Sequence, residues 1–110
     1  MEESLAETKR SQMRKGLLEF CILLAISDDR VYSSDILNTL KKADLLVVEG
    51  TLYPLLSRLK TQELVMCDWK ESKSGPPRKY YELTEKGRDT LKELEKTWKE
   101  LHESITTLTQ

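Results

Sequence analysis

The sequence predicts a mainly α fold with a β-hairpin wing, in which three short helices, a two-stranded turn and a long final helix follow one another. Three patterns carry that expectation. Leucine and isoleucine recur at helical spacing in three early segments, a period-two alternation flanks a Gly-Pro-Pro turn, and a heptad repeat runs from Leu91 to Leu108. Helix, helix, helix, hairpin is the order of a winged helix-turn-helix, and the last helix is left over for dimerisation.

Each element has a local reason. Met1 to Gly16 is highly charged with only Leu5, Ala6 and Met13 apolar, so it reads as a frayed tail or, preferably, as a helix that orders against a partner. Leu17 to Ile26 is built of good helix formers that are apolar almost all round, which predicts the core helix. Asp28-Asp29-Arg30 supplies a turn, and Ser33 or Ser34 can cap a second helix carrying Ile36, Leu37 and Leu40 and ending near Lys42. A third opens at Glu49-Gly50-Thr51 with Leu52, Leu55, Leu56 and Leu59 on one face. Its Pro54 is expected near the first turn, because a proline further in costs about 3 kcal/mol.

Val65, Cys67 and Trp69 then alternate with Met66, Asp68 and Lys70, and Tyr81 and Leu83 alternate with Tyr80 and Glu82. Between them Ser72 to Pro77 makes a polar tip, and Trp69 reads as hairpin packing. Thr84 is the expected N-cap of the final helix, with Glu85 in its positive first turn. There Leu91, Leu94, Trp98, Leu101, Ile105 and Leu108 alternate spacings of three and four, a seam that calls for a second helix. The expected division is residues 1–83 as the winged-helix unit with an amino-terminal helical extension, and residues 84–110 as the dimerisation helix.

Composition narrows the function. The chain has 110 residues, 38% hydrophobic and 34% charged, which suits one domain with a modest core and makes oligomerisation an expected source of stability. A formal charge of -1 gives no global pull toward nucleic acid or acidic lipid, so any such partner must be met locally. Cys21 and Cys67 form no CxxC pair, which signals neither a disulfide framework nor a zinc site, and each reads as a small packed residue, with a thiol sensor at Cys67 as a rival. Met1-Glu2-Glu3 is acidic where an export signal is basic, and no apolar run approaches the roughly 20 residues of a membrane span. The expectation is a cytoplasmic protein without membrane contact.

Charge placement carries the functional reading. From Arg58 to Lys79 six cations face three acids, a local balance of +3, and the stretch from Ser72 to Tyr80 holds Lys73, Arg78 and Lys79 with no acid. Solvation alone explains basic residues on an isolated tip. Here, however, the third helix also presents Thr51, Tyr53, Ser57, Arg58 and Lys60, hydroxyls and cations suited to phosphate oxygens and base edges. Two elements thus point at one ligand, double-stranded DNA. No Ser-His-Asp set, glycine-rich cradle or HExxH is present, and His102 reads as a solvated surface group, so no catalytic residue, metal or cofactor is expected.

The run Glu49-Gly50-Thr51-Leu52-Tyr53-Pro54-Leu55-Leu56-Ser57-Arg58-Leu59, followed by Arg78-Lys79-Tyr80-Tyr81-Glu82-Leu83-Thr84-Glu85-Lys86-Gly87, resembles the signature of PadR-type transcriptional regulators, in register over roughly residues 14–101. The single long terminal helix is similar to that of the small PadR subfamily. This resemblance implies a homodimeric winged-helix repressor that reads a pseudo-palindromic operator, with Thr51, Tyr53, Ser57 and Arg58 in the reading helix and Lys73, Arg78 and Lys79 in the wing. It further implies a central pore whose tryptophans stack on planar hydrophobic effectors, which makes Trp98 a candidate effector contact beside its plainer role as a core aromatic of the dimer interface. Two departures stand out: Glu63 where the family often has glycine, and Tyr32-Ser33 where Tyr-Gly is common. The rival function is a helical interaction module whose heptad seam pairs with a different chain.

Overall fold

A computed structural model describes residues 4–45, 47–72 and 74–110. Its elements follow the expected order: α1 (Leu5–Ile26), β1 (Val31–Tyr32), α2 (Ser33–Lys42), α3 (Glu49–Thr61), β2 (Val65–Ser72), β3 (Gly75–Leu83) and α4 (Glu85–Thr109). The hairpin pairs Val65 with Leu83 through Lys70 with Arg78, and closes at Ser72 and Gly75 after a register shift. β1 adds a short antiparallel edge, Val31 to Tyr81 and Tyr32 to Tyr80, giving the sheet order β1-β3-β2. That third strand was not anticipated, because two residues carry no periodicity.

The core lies where the three early helices meet the base of the wing. Ile22, Leu23 and Ile26 from α1, Ile36 and Leu40 from α2, and Leu52, Leu56 and Leu59 from α3 close over Val65, Tyr81 and Leu83, with Leu91 of α4 at the edge. No described buried side-chain polar atom lacks a partner.

Four sequence expectations are corrected. Ser72 to Pro77 is not a tip throughout, since β2 runs through Ser72 and Gly75, Pro76 and Pro77 already belong to β3. The charged amino-terminal segment is a helix from Leu5, as its preferred reading had it, with Ser4 Oγ accepting from the Glu7 amide at 3.1 Å, and it runs on into the core helix. That core helix is not buried all round: Leu17 and Leu24 are exposed and Phe20 and Cys21 only half-buried, because one apolar face packs inward and the other stays open. Neither Ser33 nor Ser34 caps α2. Tyr32 occupies the N-cap position, and the Asp35 carboxylate reaches back to accept its amide at 2.8 Å. Pro54 lies one turn deeper in α3 than expected, where its missing N–H leaves only the carbonyl of exposed Gly50 to solvent.

The start of α4 is clasped to the end of α3. Thr84 Oγ1 accepts from the Gly87 amide at 2.9 Å, as an N-cap should, and donates to the Glu63 carbonyl at 2.6 Å. The Thr84 amide donates to the Leu64 carbonyl at 3.1 Å, and Lys86 Nζ donates to the Gln62 carbonyl at 3.1 Å. Gly87 is buried there, and a Cβ on it would overlap the Leu64 carbonyl oxygen. Glu63 keeps the left-handed turn that glycine would favour, at φ 63°.

Gly87→Ala should therefore lower stability by about 3 kcal/mol in urea unfolding, since the overlap is with backbone that cannot step aside. Glu63→Gly should raise it by about 0.5 kcal/mol, the release of left-handed strain slightly exceeding the added unfolded-state entropy.

Candidate nucleic-acid interface

The helical repeat divides the polar residues of α3 into two flanks. Tyr53, Ser57 and Lys60 stand at i, i+4 and i+7, and Thr51 and Arg58 at i and i+7 on another side, with the leucines between them turned into the core. The first flank faces the wing: Tyr53, Ser57 and Lys60 line a concavity of about 270 Å³ together with Lys79 and Tyr81 of β3. A second hollow of about 440 Å³ continues from Tyr53 and Lys79 to Arg78, Pro77, Trp69 and the start of α2. Helix and wing thus form one cationic surface.

Of the residues singled out in the sequence, Tyr53, Ser57, Lys60, Arg78 and Lys79 come together. Thr51 is exposed on the other flank. Arg58 leans the other way, its Nη1 3.4 Å from Glu19 Oε1 of α1, an exposed pair too weak to hold it against a phosphate. Lys73 lies outside the described residues.

Aromatic rings prop the wing cations. The Arg78 guanidinium sits 3.7 Å from the Tyr32 ring centroid, and its Nη2 donates to Ser34 Oγ at 3.1 Å. Arg30 lies 5.4 Å from the Tyr80 ring and pairs with Glu82 at 3.3 Å. Lys79 Nζ stands between Trp69, at 5.7 Å, and Tyr81, at 5.8 Å. Ser33 Oγ shares a 2.9 Å hydrogen bond with the Tyr53 hydroxyl, joining the first turn of α2 to the wing-facing flank of α3. Sequence reasoning missed Tyr32, Ser33 and Ser34. Only the pairing of Tyr32 with Tyr80, which is a tertiary fact, brings them beside the wing.

Trp69 also departs from expectation. It is 64% exposed, so it does not serve as hairpin packing.

The heptad seam divides in two. Leu91 is buried in the chain's own core and Leu94 packs against it, whereas Trp98, Leu101, Ile105 and Leu108 are exposed. Beside Trp98, a groove of about 420 Å³ opens between α4 and the uncovered face of α1, lined by Leu17, Phe20, Cys21 and Leu24 with Glu95 and Lys99. His102 is exposed, its ring 5.7 Å from that of Trp98. Among the described residues no cluster suits a metal ion, and no helix is long and apolar enough to cross a membrane.

Two titrating groups report on packing. Burial pushes the Cys21 thiol above its ordinary value of 9.0. It also pushes the Tyr81 phenol above 10.0, helped by like charge on Cys67 and Tyr53. Both groups hold their protons more tightly folded than unfolded. Their contribution is complete below the ordinary values and is lost as pH rises through the raised ones. Chemical denaturation followed from neutral to alkaline pH should show stability falling above about pH 9, and Tyr81→Phe should flatten the upper part of that decline.

Comparison with known proteins gives a consistent set of relatives. The profile of the transcriptional regulator PadR-like family matches residues 22–93. The chain is 55% identical to a PadR-like transcription factor from Bacteroides fragilis, covering 92% of this chain and 98% of that one with a TM-score of 0.78. A PadR-like transcriptional regulator from Bacillus cereus is 40% identical, over 90% of this chain and 97% of that one, with a TM-score of 0.81. An uncharacterized protein from Lysinibacillus sphaericus is 31% identical over 99 residues, which is 87% of this chain and 91% of the relative.

Proposed function

Because this chain belongs to the PadR-like family of transcriptional regulators, DNA-binding proteins and not enzymes, we propose that it is a cytoplasmic homodimeric repressor that grips a pseudo-palindromic operator with α3 and the wing. The observation that carries this is the concavity in which Tyr53, Ser57 and Lys60 of α3 meet Lys79 of the wing. Hydroxyls and cations from two separate elements converge there, and a duplex supplies base edges and phosphates at that spacing. Arg78, steadied by Tyr32 and Ser34, extends the grip to the flanking backbone, and Thr51 and Arg58 add to it from the other flank of α3.

Dimerisation has its own support. The radius of gyration is 16.1 Å against about 13 Å for a compact chain of this length. Both ends of the molecule reach beyond the core, and the reach of α4 carries Trp98, Leu101, Ile105 and Leu108 in the open. A second copy aligned on that seam covers them and sets two α3 helices about one turn of DNA apart, roughly 34–36 Å. The groove beside Trp98 is apolar with Glu95 and Lys99 at its rim, which suits a planar hydrophobic effector whose binding shifts the α1–α4 packing and releases the operator.

Selection of bound duplexes from a random pool should enrich an inverted repeat. If each subunit neutralises about three phosphates, the logarithm of affinity should fall against that of salt with a slope of roughly -5. Reversing Lys60, Arg78 and Lys79 to glutamate should abolish operator binding while leaving the dimer intact by sedimentation. Ile105→Glu should instead dissociate the dimer and take operator affinity with it. A flat salt response, or a monomer that binds fully, would overturn the proposal.

A further inference from the structure

We propose that Trp69 is a duplex-contacting residue, its indole covering deoxyribose and base edges next to the segment that α3 reads. The alternation of β2 sets Val65, Cys67 and Trp69 on one sheet face, opposite Leu83, Tyr81 and Lys79 of β3. Near the base of the wing that face closes the core, where Val65 and Leu83 are buried. Four residues out, the sheet has run past the helices and the same face opens on the cationic hollow that contains Tyr53, Pro77, Arg78 and Lys79. Trp69 therefore stands across from α3, with 64% of its surface exposed.

An indole there is costly in water and has no aromatic ring stacked on it among the described residues. Its immediate neighbour is a cation, Lys79 at 5.7 Å, while the nearby Asp68 carboxylate is engaged in accepting the amide of Trp69 itself at 2.8 Å. A partner for this patch must offer an apolar face and negative charge side by side. Deoxyribose and base edges lie within a few ångströms of phosphate along every strand, so DNA meets both demands at once. A ring with Lys79 beside it contributes apolar contact that salt does not screen, next to a phosphate contact that it does.

This inference rests on the DNA-binding role proposed above, and its test separates the two. Wild type, Trp69→Ala, Trp69→Phe and Lys79→Ala are titrated with the duplex recovered from random-pool selection across a salt series, with circular dichroism to verify the fold. Trp69→Ala should lose affinity about tenfold with an unchanged salt slope, and Trp69→Phe should recover most of the loss. Lys79→Ala should flatten the slope by about 0.9 for each phosphate contact it removes, counted over both subunits. Binding should quench tryptophan emission in wild type, and most of that quenching should vanish in Trp69→Ala, where Trp98 remains. Unchanged affinity in Trp69→Ala, or a loss accompanied by a flattened slope, overturns the contact while leaving the DNA reader standing. Failure of wild type to bind any duplex overturns the reader itself.

Discussion

The backbone contact between the first turn of α4 and the turn that ends α3 is the constraint on which the rest of the molecule depends. Gly87 lets the helix approach the Leu64 carbonyl more closely than any side chain would permit, and Thr84 uses one hydroxyl both to cap its own helix and to hold the Glu63 carbonyl. Three elements meet in that joint: the end of α3, the first strand of the wing and the start of the long helix. Loosening it by one methyl group separates them together. The direction in which α4 leaves the domain is thereby tied to the direction in which α3 faces, and in the proposed dimer the half-site spacing follows from it.

Electrostatics is local in this protein. A chain of formal charge -1 builds its cationic surface by gathering Lys60, Arg78 and Lys79 from two elements. Aromatic rings steady the long side chains: Tyr32 under Arg78, Tyr80 under Arg30, Trp69 and Tyr81 on either side of Lys79. A guanidinium already resting on a ring and a hydroxyl has less rotamer freedom to lose when a ligand arrives. On the opposite flank of α3, Arg58 is shared with Glu19 on α1, the helix whose other face lines the groove beside Trp98. Arg58 of α3 and the apolar groove thus lie against the same helix.

Much of the fold was legible in the sequence, because its signals act over a few residues. Thr84 followed by Glu85 announces a helix start and the alternation from Val65 to Trp69 announces a strand, whereas Gly75-Pro76-Pro77, which reads as a turn, opens β3. The candidate site was legible by halves. The sequence contained the cations and hydroxyls of α3 and the wing, but not the three residues around Tyr32 that meet them, since α2 and β3 are far apart in the chain and only the β1–β3 pairing joins them.

The same limit explains the remaining differences. Periodicity states which residues share a face, and it did so for Leu52 to Leu59, for Val65 to Trp69 and for Leu91 to Leu108. It does not state what lies opposite that face. Leu91 and Trp98 belong to one seam, yet the first is buried under the chain's own helices and the second is open, and Val65 and Trp69 are divided in the same way along one strand. The amino acids by themselves determined the helices, the two strands of the hairpin and the Thr84 cap, because those depend on neighbours in sequence. Where the core ends along each element was decided only by tertiary structure, because burial depends on which distant segment packs against it and how far that segment reaches.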